Sequence, residues 1–509
     1  MTKAYNYLFA QVRTMGSWFA NPVWARYVGL NPAGQVPNQR AVLPLDTMAK
    51  VLAVLVTISG GIACWLNWDR LEQTRNTMLD SPYGIVFLVS SQVFLLTNIA
   101  FFIWQIMQVR KYQPSPVRGD DELPTCTVVV PAYNEGKHVL MTLRSLAASD
   151  YPEEKLQIIA VDDGSKDDTW QWMLQAAREL PGRITTLQLR KNSGKRRALY
   201  EGFLRATGEI LVTVDSDSIV EPPTVRRLVS PFIGDEKCGA VAGNVRVLNL
   251  HEGLIPRMLD VSFVFSFEFI RSGQSMVNTV FCTPGALSAY RRDVVYQVLP
   301  AWLTQKFWGK PNDIGEDRAI TNMILRRGYN VLFQDDAVVY TNVPTDYKQL
   351  CRMLIRWARS NVRENLDMTE FLFDKFREGS AVGARIHLCM QWLWTLSAPV
   401  FLTMILYCLY WRPQIFAINI LCGLALWSTL PAMIYYLRYR TSEAMWSYVF
   451  GLFNFVALSW IGPYSLFTVH KGGWLTRQSP ASATEAAPTM VPANSFRPAV
   501  ATVSPSKAA

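Results

Sequence analysis

Carboxylates directly follow the apolar, strand-like runs in the first half of the chain. The run "EILVTVDSDS" starts as a strand buried on both faces and ends in Asp215 and Asp217. The run "LQIIAVDDGS" ends in the same way, in Asp162 and Asp163. Aspartates are also common in loops and helix caps, so each pair alone has an ordinary structural explanation. Two carboxylates one residue apart at the carboxyl end of a parallel strand can instead hold a hard divalent cation beside a diphosphate.

A basic cluster opens the helix that is predicted to follow the third strand-like run. In "KNSGKRRAL" the side chains of Lys195 and Arg196 lie at the predicted N-terminus of this helix. The helix dipole favours anions at that end, so cations placed there indicate an anionic ligand. Glu135 follows the first strand, in "TCTVVVPAYNE", and is predicted at the same edge of the sheet.

Two motifs in the second half of the chain each allow two interpretations. Glu316 and Asp317 begin the helix of "GEDRAITNMILRRG". Acidic residues stabilise the first turn of many helices, and the alternative is a carboxylate kept ionised as a general base. Gly285, in "VFCTPGALSAYRR", is equally consistent with an ordinary turn and with a backbone that approaches a ligand closely.

Four arginines share one face of a later predicted helix. Arg352, Arg356, Arg359 and Arg363 recur at helical spacing in "LCRMLIRWARSNVREN". Such a face can contact anionic lipid head groups. Trp357 beside Arg356 allows a second interpretation, in which an aromatic ring supports a sugar next to a phosphate-binding charge.

The composition predicts a soluble region combined with membrane helices. Half of the 509 residues are hydrophobic, and the net charge is +10. This charge favours loops at a membrane surface over a nucleic-acid groove, because no basic run is interleaved with aromatic residues. The eight cysteines contain no Cys-x-x-Cys pair, and with four histidines they favour neither a disulfide framework nor a zinc site.

Four apolar runs are long enough to span a bilayer, which takes about 20 residues. They are 48–68, 84–109, 388–411 and 413–437. Basic residues follow the second and fourth runs and predict that the large central region and both termini are cytoplasmic. A fifth run, 444–469, contains Asn454, Ser459 and Pro463, so we expect a re-entrant or interfacial segment. No cleavable signal peptide is expected, since the first apolar run starts near Met48.

Strand and helix signals alternate over residues 124–345. This alternation predicts an α/β domain with a mostly parallel sheet and helices on both faces, inserted between transmembrane helices. The predicted order is an interfacial arm (1–45), a transmembrane hairpin (46–111), the cytosolic α/β domain (112–345), interfacial amphipathic helices with the Arg-Trp motif (346–384), a second transmembrane hairpin (385–440), a re-entrant or interfacial segment (441–478) and a disordered tail (479–509) rich in Ala, Pro, Ser and Thr.

The motifs taken together resemble glycosyltransferase family 2. The resemblance is carried by Asp162-Asp163-Gly, Asp215-Ser-Asp217, Gly-Glu-Asp317-Arg and Arg356-Trp357, in this order and between membrane helices. Within the family, about residues 80–480 are similar to the membrane-embedded processive synthases, namely the hyaluronan synthases and the nodulation chitin-oligosaccharide synthases. The resemblance implies a GT-A-like fold and an inverting, processive enzyme that polymerises UDP-activated sugars.

The same resemblance implies a role for each candidate residue on the donor side. The nucleotide sugar would be bound by Tyr133, Glu135, Asp162, Asp163, Lys195, Arg196, Asp215, Arg356, Trp474, Thr476 and Arg477. Asp215 and Asp217 would hold the diphosphate through Mg²⁺ or Mn²⁺, with Asp217 as the more direct ligand. The segment "WLTR" is similar to a Trp-Gly-Thr-Arg element of hyaluronan synthases on a cytosolic loop, so Arg477 would act as a lid over the UDP-sugar.

On the acceptor side, the resemblance implies that Asp317, with Glu316 beside it, deprotonates the acceptor hydroxyl. Gly285 and Trp357 would line the acceptor site. One departure concerns Met353, which replaces the glutamine of the Gln-x-x-Arg-Trp pattern; alginate synthases, which also resemble this helix, lack that glutamine too.

The preferred product is hyaluronan or a related N-acetylglucosamine or uronate polymer. The alternatives are an alginate-, cellulose- or chitin-like synthase, a lipid glycosyltransferase, and a non-catalytic carrier of nucleotide sugars. The expected partners are a UDP-sugar donor, the growing polysaccharide chain and membrane lipids, with no nucleic acid. The expected location is the bacterial inner (plasma) membrane, crossed several times, with the catalytic domain in the cytosol.

Overall fold

The computed structural model describes residues 44–80, 82–411 and 413–472. The predicted interfacial arm (1–45) lies almost wholly outside the described residues, as do Trp474, Thr476, Arg477 and the predicted tail (479–509). The helices are α1 (Pro44–Leu66), α2 (Trp68–Leu79), α3 (Pro82–Lys111), α4 (His138–Ala147), α5 (Thr169–Glu179), α6 (Lys195–Arg205), α7 (Thr224–Gly234), α8 (Leu254–Phe263), α9 (Ile270–Met276), α10 (Arg292–Leu303), α11 (Glu316–Arg326), α12 (Tyr347–Leu372), α13 (Val382–Trp411), α14 (Pro413–Tyr439), α15 (Trp446–Phe453) and α16 (Ile461–Phe467).

The strands are β1 (Cys126–Ala132), β2 (Leu156–Asp162), β3 (Ile184–Gln188), β4 (Ile210–Val214), β5 (Ser218–Val220), β6 (Cys238–Val247), β7 (Leu287–Arg291), β8 (Lys306–Phe307), β9 (Lys310–Pro311) and β10 (Asn330–Thr341). Short 3₁₀ turns occupy Glu153–Lys155 and Ser442–Met445. Val264–Phe269 and Asn454–Leu458 form π-helical turns.

Eight strands form one sheet in the order β3-β2-β1-β4-β7-β6-β10-β5. The pairs β2–β3, β1–β2, β1–β4 and β6–β10 are parallel. The pairs β4–β7, β6–β7 and β5–β10 are antiparallel. The predicted α/β fold is therefore confirmed, with β7 as an antiparallel strand in the middle of an otherwise largely parallel sheet. This mixed sheet, with helices on both faces, is GT-A-like.

Strand β1 shows why these apolar runs form central strands. Val128 and Val130 point into one buried apolar cluster, and Val129 points into the other. A strand whose alternate side chains enter two cores must be apolar throughout, because neither face meets water. Parallel strands then end at one edge, which places Asp162 at the end of β2 and Asp215 directly after β4.

Two of the described helices are long and apolar enough to cross a membrane. These segments, Gly84–Lys111 and Val382–Tyr410, correspond to the second and third predicted spans. The first and fourth runs also fold as helices, α1 and α14, and their crossing of a bilayer stays a prediction.

The fifth apolar run is a pair of helical segments, Ser442–Leu458 and Ile461–Phe467, that bend by 46° at a break. The residues directly before and after this bent pair are tied to other parts of the described structure. Before it, Arg438 forms ion pairs with Glu268 (2.6 Å) and Asp335 (2.8 Å). After it, the Arg363 Nε group donates a hydrogen bond to the carbonyl oxygen of Val469 (3.0 Å). A bent pair of this kind is either a broken span or a re-entrant segment, so the re-entrant or interfacial placement stays a prediction.

Candidate active site

Lys195 is the cation around which the acidic residues gather. Its Nζ lies 2.5 Å from Asp215 Oδ1 and 3.2 Å from Glu316 Oε1. Burial alone would lower the pKa of Lys195, but the charges of Asp215 and Glu316 outweigh burial and raise it, so the ammonium group stays protonated. The basic residue at the start of α6 is therefore paired with carboxylates from β4 and α11.

Asp217 lies close to Asp215, and its negative charge has no ion-pair partner among the described residues. Its Oδ1 accepts a hydrogen bond from Thr341 Oγ1 at 3.4 Å. Burial and the charge of Asp215 raise the pKa of Asp217 to about 6, although Lys195 opposes this. Two mutually repelling carboxylates fit a hard divalent cation, which would relieve the repulsion and which prefers oxygen ligands. Within the described residues no cluster of three or more His, Cys, Asp or Glu forms a complete metal site, so further ligands would come from a bound diphosphate or water.

Asp317 is held in place by three donors. Its Oδ1 accepts a hydrogen bond from the Arg318 backbone N–H (2.8 Å), and its Oδ2 accepts from the Gly285 N–H (3.3 Å). The thiol of Cys282 donates to the same Oδ2, with a sulfur–oxygen distance of 3.7 Å. Burial and the neighbouring Glu316 raise the pKa of Asp317. A carboxylate with a raised pKa accepts a proton more readily than an exposed one, which suits a general base.

Glu316 behaves differently from its neighbour. Burial alone would raise its pKa, but Lys195 and Arg356 outweigh burial and lower it. Glu316 is therefore ionised and acts as a counter-ion to Lys195. The acidic pair follows Gly315, whose φ of +71° favours glycine and whose α-carbon packs directly against the side chain of Ser360 on α12.

Asp162 and Asp163 are buried, and both bind backbone groups of their own region. Asp162 accepts hydrogen bonds from Ser165 N (3.0 Å) and from the Gln188 side chain (2.9 Å). Asp163 accepts from Ser193 N (2.8 Å) and Gly194 N (2.7 Å), directly before Lys195. Burial raises the pKa of Asp163 to about 6 despite these two bonds. Asp163 thus holds the start of α6, and contact of either aspartate with a uracil ring stays a prediction.

The remaining predicted donor-side residues lie around this cluster. Arg196 points towards the end of α10, where its Nη1 donates to the Trp302 carbonyl (2.5 Å) and to Gln305 Oε1 (3.1 Å). The carboxylates that follow β4 are therefore contacted by Lys195 and not by Arg196. Tyr133 is buried, and the Glu135 backbone N–H donates to Thr169 Oγ1 (2.8 Å), so both belong to the loop after β1.

The arginines of α12 contact two different regions, the segment after α16 and the acidic residue Glu316. Arg359 donates to Thr468 Oγ1 (2.9 and 3.2 Å), and Arg363 donates to the carbonyl oxygen of Lys471 (3.0 Å). Both arginines are buried against the segment after α16, so they do not face lipid. Arg356 lies close enough to Glu316 to lower its pKa.

Trp357 belongs to an aromatic cluster beside the acidic site. Its ring centre lies 6.1 Å from that of Phe263 and 6.0 Å from that of Phe267. The indole is partly exposed, so one part of it packs on these rings and another part is available for contact. Gly285, the second predicted acceptor-side residue, lies between Lys195 and Asp317, and a β-carbon there would be 3.6 Å from Asp215 Oδ1.

Comparison with known proteins agrees with this geometry. The family model described as "Glycosyltransferase like family 2" matches residues 124–360, which contain the sheet and the whole acidic cluster. Residues 124–360 belong to glycosyltransferase family 2. The resemblance inferred from the sequence motifs is thereby confirmed.

Several curated relatives that this chain resembles are named N-acetylglucosaminyltransferase. The protein from Mesorhizobium japonicum is 34% identical over 258 residues, and the one from Rhizobium meliloti is 32% identical over 277 residues. These matches cover 49% and 53% of this chain and 60% and 65% of the relatives, so the chain spans less than two thirds of their length. The protein from Sinorhizobium fredii is 28% identical over 72% of this chain and 88% of its own length.

One solved structure that this chain matches is the mannosyltransferase PcManGT of Pyrobaculum calidifontis in complex with GDP-mannose and Mn²⁺. It is 22% identical, has a TM-score of 0.48, and is matched over 71% of this chain and 97% of its own length.

The glycosyltransferase domain also contains site residues that the sequence motifs did not identify. Cys282 and Arg318 position Asp317, and Ser360 packs against Gly315. Cys282 stands three residues before Gly285 in a quoted motif, but a lone cysteine carries no signal of its partner. Their contacts with the acidic pair arise from the packing of β7, α11 and α12.

Proposed function

We propose that this chain transfers N-acetylglucosamine from UDP-N-acetylglucosamine to the hydroxyl group of a growing glycan, with inversion at the anomeric carbon. The observation that supports it best is the joint position of Lys195, Asp215 and Asp317 in one cluster, which brings leaving-group charges and a candidate base together. The relatives named N-acetylglucosaminyltransferase support the choice of sugar.

The reaction follows from the charges in the cluster. Asp317 accepts the proton of the acceptor hydroxyl while that oxygen attacks the anomeric carbon. The bond between the anomeric carbon and the diphosphate oxygen breaks, and UDP leaves with the electron pair. Gly285 N–H and Arg318 N–H hold the Asp317 carboxylate in orientation during this step.

Lys195 contributes positive charge to the departing diphosphate. Asp215 and Asp217 would hold Mg²⁺ or Mn²⁺, which would supply further positive charge to the same oxygens. Asp317 acts alone as the base, on the face of the sugar opposite to the diphosphate, so the product is inverted.

The acceptor is proposed to lie against Trp357. Its contact with Phe263 and Phe267 fixes the indole, and a fixed aromatic face positions a sugar at low entropic cost. We further propose that the enzyme is processive and lies at the cytosolic face of the bacterial inner membrane. The two long apolar helices that flank the domain support membrane association.

A single assay tests the proposal and separates its alternatives. The purified protein is incubated with radiolabelled UDP-N-acetylglucosamine and Mn²⁺, with and without UDP-glucuronate, and Asp317→Asn serves as the inactive control. Polymer formed from one donor and degraded by chitinase indicates a chitin-like product, whereas a requirement for both donors and sensitivity to hyaluronidase indicates hyaluronan. A label that partitions with lipid indicates a lipid glycosyltransferase. Absence of UDP release would contradict the proposal and would support a nucleotide-sugar carrier.

A further inference from the structure

Arg271, on α9, is a buried arginine without an acidic partner. Its side chain is 5% exposed, no ion pair within the described residues includes it, and its buried Nη1 group has no hydrogen-bond partner there. Arg246, in the same domain, is paired through two hydrogen bonds of 3.0 Å with Asp260. A buried donor without a hydrogen-bond partner is energetically costly, so Nη1 is the part of Arg271 that the packing of the core leaves unexplained.

The surroundings of Arg271 identify which side of the active site it belongs to. Its guanidinium carbon lies 4.3 Å from the ring centre of Phe267, the ring that packs against Trp357. Burial lowers the pKa of Arg271, and the neighbouring Cys282 and Asp317 partly offset this effect. Arg271 therefore lies between the candidate base and the aromatic cluster, whereas Lys195 serves the diphosphate side.

The position of Arg271 is fixed by its own helix. Gln105 on α3 donates hydrogen bonds to the carbonyl oxygens of Phe269 (2.8 Å) and Ile270 (3.1 Å), the two residues before it. Gln274, one turn later, accepts from the backbone N–H of Phe281 (3.3 Å), next to Cys282. The arginine is thus held beside the segment that orients Asp317.

We propose that Arg271 binds the acceptor sugar, with Nη1 donating a hydrogen bond to an oxygen of the N-acetylglucosamine residue that lies against Phe267 and Trp357. This bond holds the acceptor hydroxyl at Asp317. Arg271 is then a substrate-binding residue of the acceptor site and makes no contact with the nucleotide. The inference rests on the proposed function for the identity of the sugar.

The test measures acceptor binding separately from catalysis. The full-length protein, saturated with UDP and Mn²⁺, is titrated with N,N′,N″-triacetylchitotriose while tryptophan fluorescence is recorded. Arg271→Gln is expected to raise the Kd of the trisaccharide by about 10- to 100-fold, since it removes a hydrogen bond from a charged donor. The Kd of UDP is expected to change by less than about twofold, because Arg271 lies on the acceptor side.

A matched control and a conservative variant protect the test against misfolding. Arg377 is also partly buried, but its Nη2 group donates to the carbonyl oxygens of Val277 (2.9 Å) and Ser380 (2.7 Å), so Arg377→Gln should lower the melting temperature without weakening trisaccharide binding. Arg271→Lys retains the charge and loses the planar fork, so it should melt like the wild type and bind the trisaccharide less tightly, by about 3- to 10-fold.

The outcomes separate this inference from the proposed function. Wild-type trisaccharide affinity in Arg271→Gln, or equal losses of UDP and trisaccharide affinity in both Arg271 variants, would overturn the inference. A wild-type protein that does not bind the trisaccharide would overturn it as well. If trisaccharide binding depends on Arg271 while the wild type releases no UDP from UDP-N-acetylglucosamine, the inference stands and the proposed function fails.

Discussion

The ammonium group of Lys195 lies 2.5 Å from the carboxylate of Asp215, and this contact joins the first residue of α6 to the end of β4. The same nitrogen lies 3.2 Å from Glu316, at the start of α11. One cation therefore links three elements that are far apart in the chain. A diphosphate bound at this site would share the ammonium group with the two carboxylates.

Replacement of Lys195 by methionine should weaken UDP binding by about 10- to 100-fold, because a charge-assisted hydrogen bond to the diphosphate is lost. The melting temperature should also fall, since the buried Glu316 and the partly exposed Asp215 would both lose this cation. Calorimetric titration with UDP and a thermal melt measure the two effects. Lys195→Arg keeps the charge and should retain part of both. Unchanged UDP affinity in Lys195→Met would show that the lysine has a purely structural role.

Asp217→Asn and Asp317→Asn should both abolish glycan synthesis, but at different steps. The first variant loses an oxygen ligand and should weaken the Mn²⁺-dependent binding of UDP. The second should bind UDP nearly as well as the wild type while the rate of transfer falls by about 10²- to 10⁴-fold, the usual contribution of a general base. Equilibrium dialysis of UDP with and without Mn²⁺ distinguishes them, and an equal loss of UDP affinity would contradict the assigned roles.

Trp357→Ala should impair transfer to a glycan more than hydrolysis of the UDP-sugar, because water needs no aromatic surface for its positioning. Trp357→Phe keeps a ring beside Phe263 and Phe267 and should retain most of the transfer activity. The measurement is the ratio of labelled product to total UDP released. A parallel decline of both quantities in Trp357→Ala would exclude the acceptor role.

The stability of the domain should depend on the ionisation of Glu364, which is buried on α12. Burial and the charge of Asp367 raise its pKa to about 7, even though Gln305 and Asn322 donate hydrogen bonds to it. Because its pKa is higher in the folded state than the ordinary 4.5, this group favours folding at low pH. That stability, about 3 kcal/mol, is fully present below about pH 4.5 and is lost as the pH rises through 7.

The corresponding experiment compares the melting temperatures of the wild type and Glu364→Gln from pH 5 to pH 8. The wild type should lose stability relative to the variant as the pH rises, since the glutamine does not titrate. A difference that is independent of pH would contradict the raised pKa. Glu370→Gln, on the same helix but exposed, is the control and should leave the pH dependence unchanged.

Arg363 should affect donor binding through the segment that follows α16. Its side chain binds the carbonyl oxygens of Val469 and Lys471 (3.0 Å each), a few residues before the predicted lid residue Arg477. Arg363→Gln should therefore raise the KM for the donor by about tenfold, because the segment that leads towards Arg477 would lose its charged hydrogen bonds at Val469 and Lys471. If Arg477 acts as a lid, the double variant of Arg363→Gln with Arg477→Ala should have the same KM for the donor as Arg477→Ala alone.

Arg326→Gln, at a half-exposed site, is the control and should leave the KM for the donor unchanged. Additive effects would show that the two arginines act independently.

The sequence by itself was sufficient for the fold class and for the acidic residues at the strand ends. Apolar runs such as that of β1 must be central strands because both faces are buried, and parallel strands end at one edge. Asp162 and Asp215 could therefore be predicted at one edge of the sheet, whereas the assignment of Glu316 and Asp317 to the same site came from the family resemblance. Strand β7 was not predicted, since "LSAYR" is short and lacks a long apolar run.

Contacts between side chains that are distant in the chain were decided by the tertiary structure alone. A motif rich in Lys and Arg predicts an anion-binding site, but it does not show which of the cations lies at that site. In the structure Lys195 forms an ion pair with Asp215, whereas Arg196 donates a hydrogen bond to the carbonyl oxygen of Trp302. Helical spacing placed Arg359 and Arg363 on one face, yet only packing shows that this face binds the segment after α16. The unused Nη1 donor of Arg271 has no sequence signal, because whether a buried donor finds a partner is a property of the folded core and not of the residues next to it.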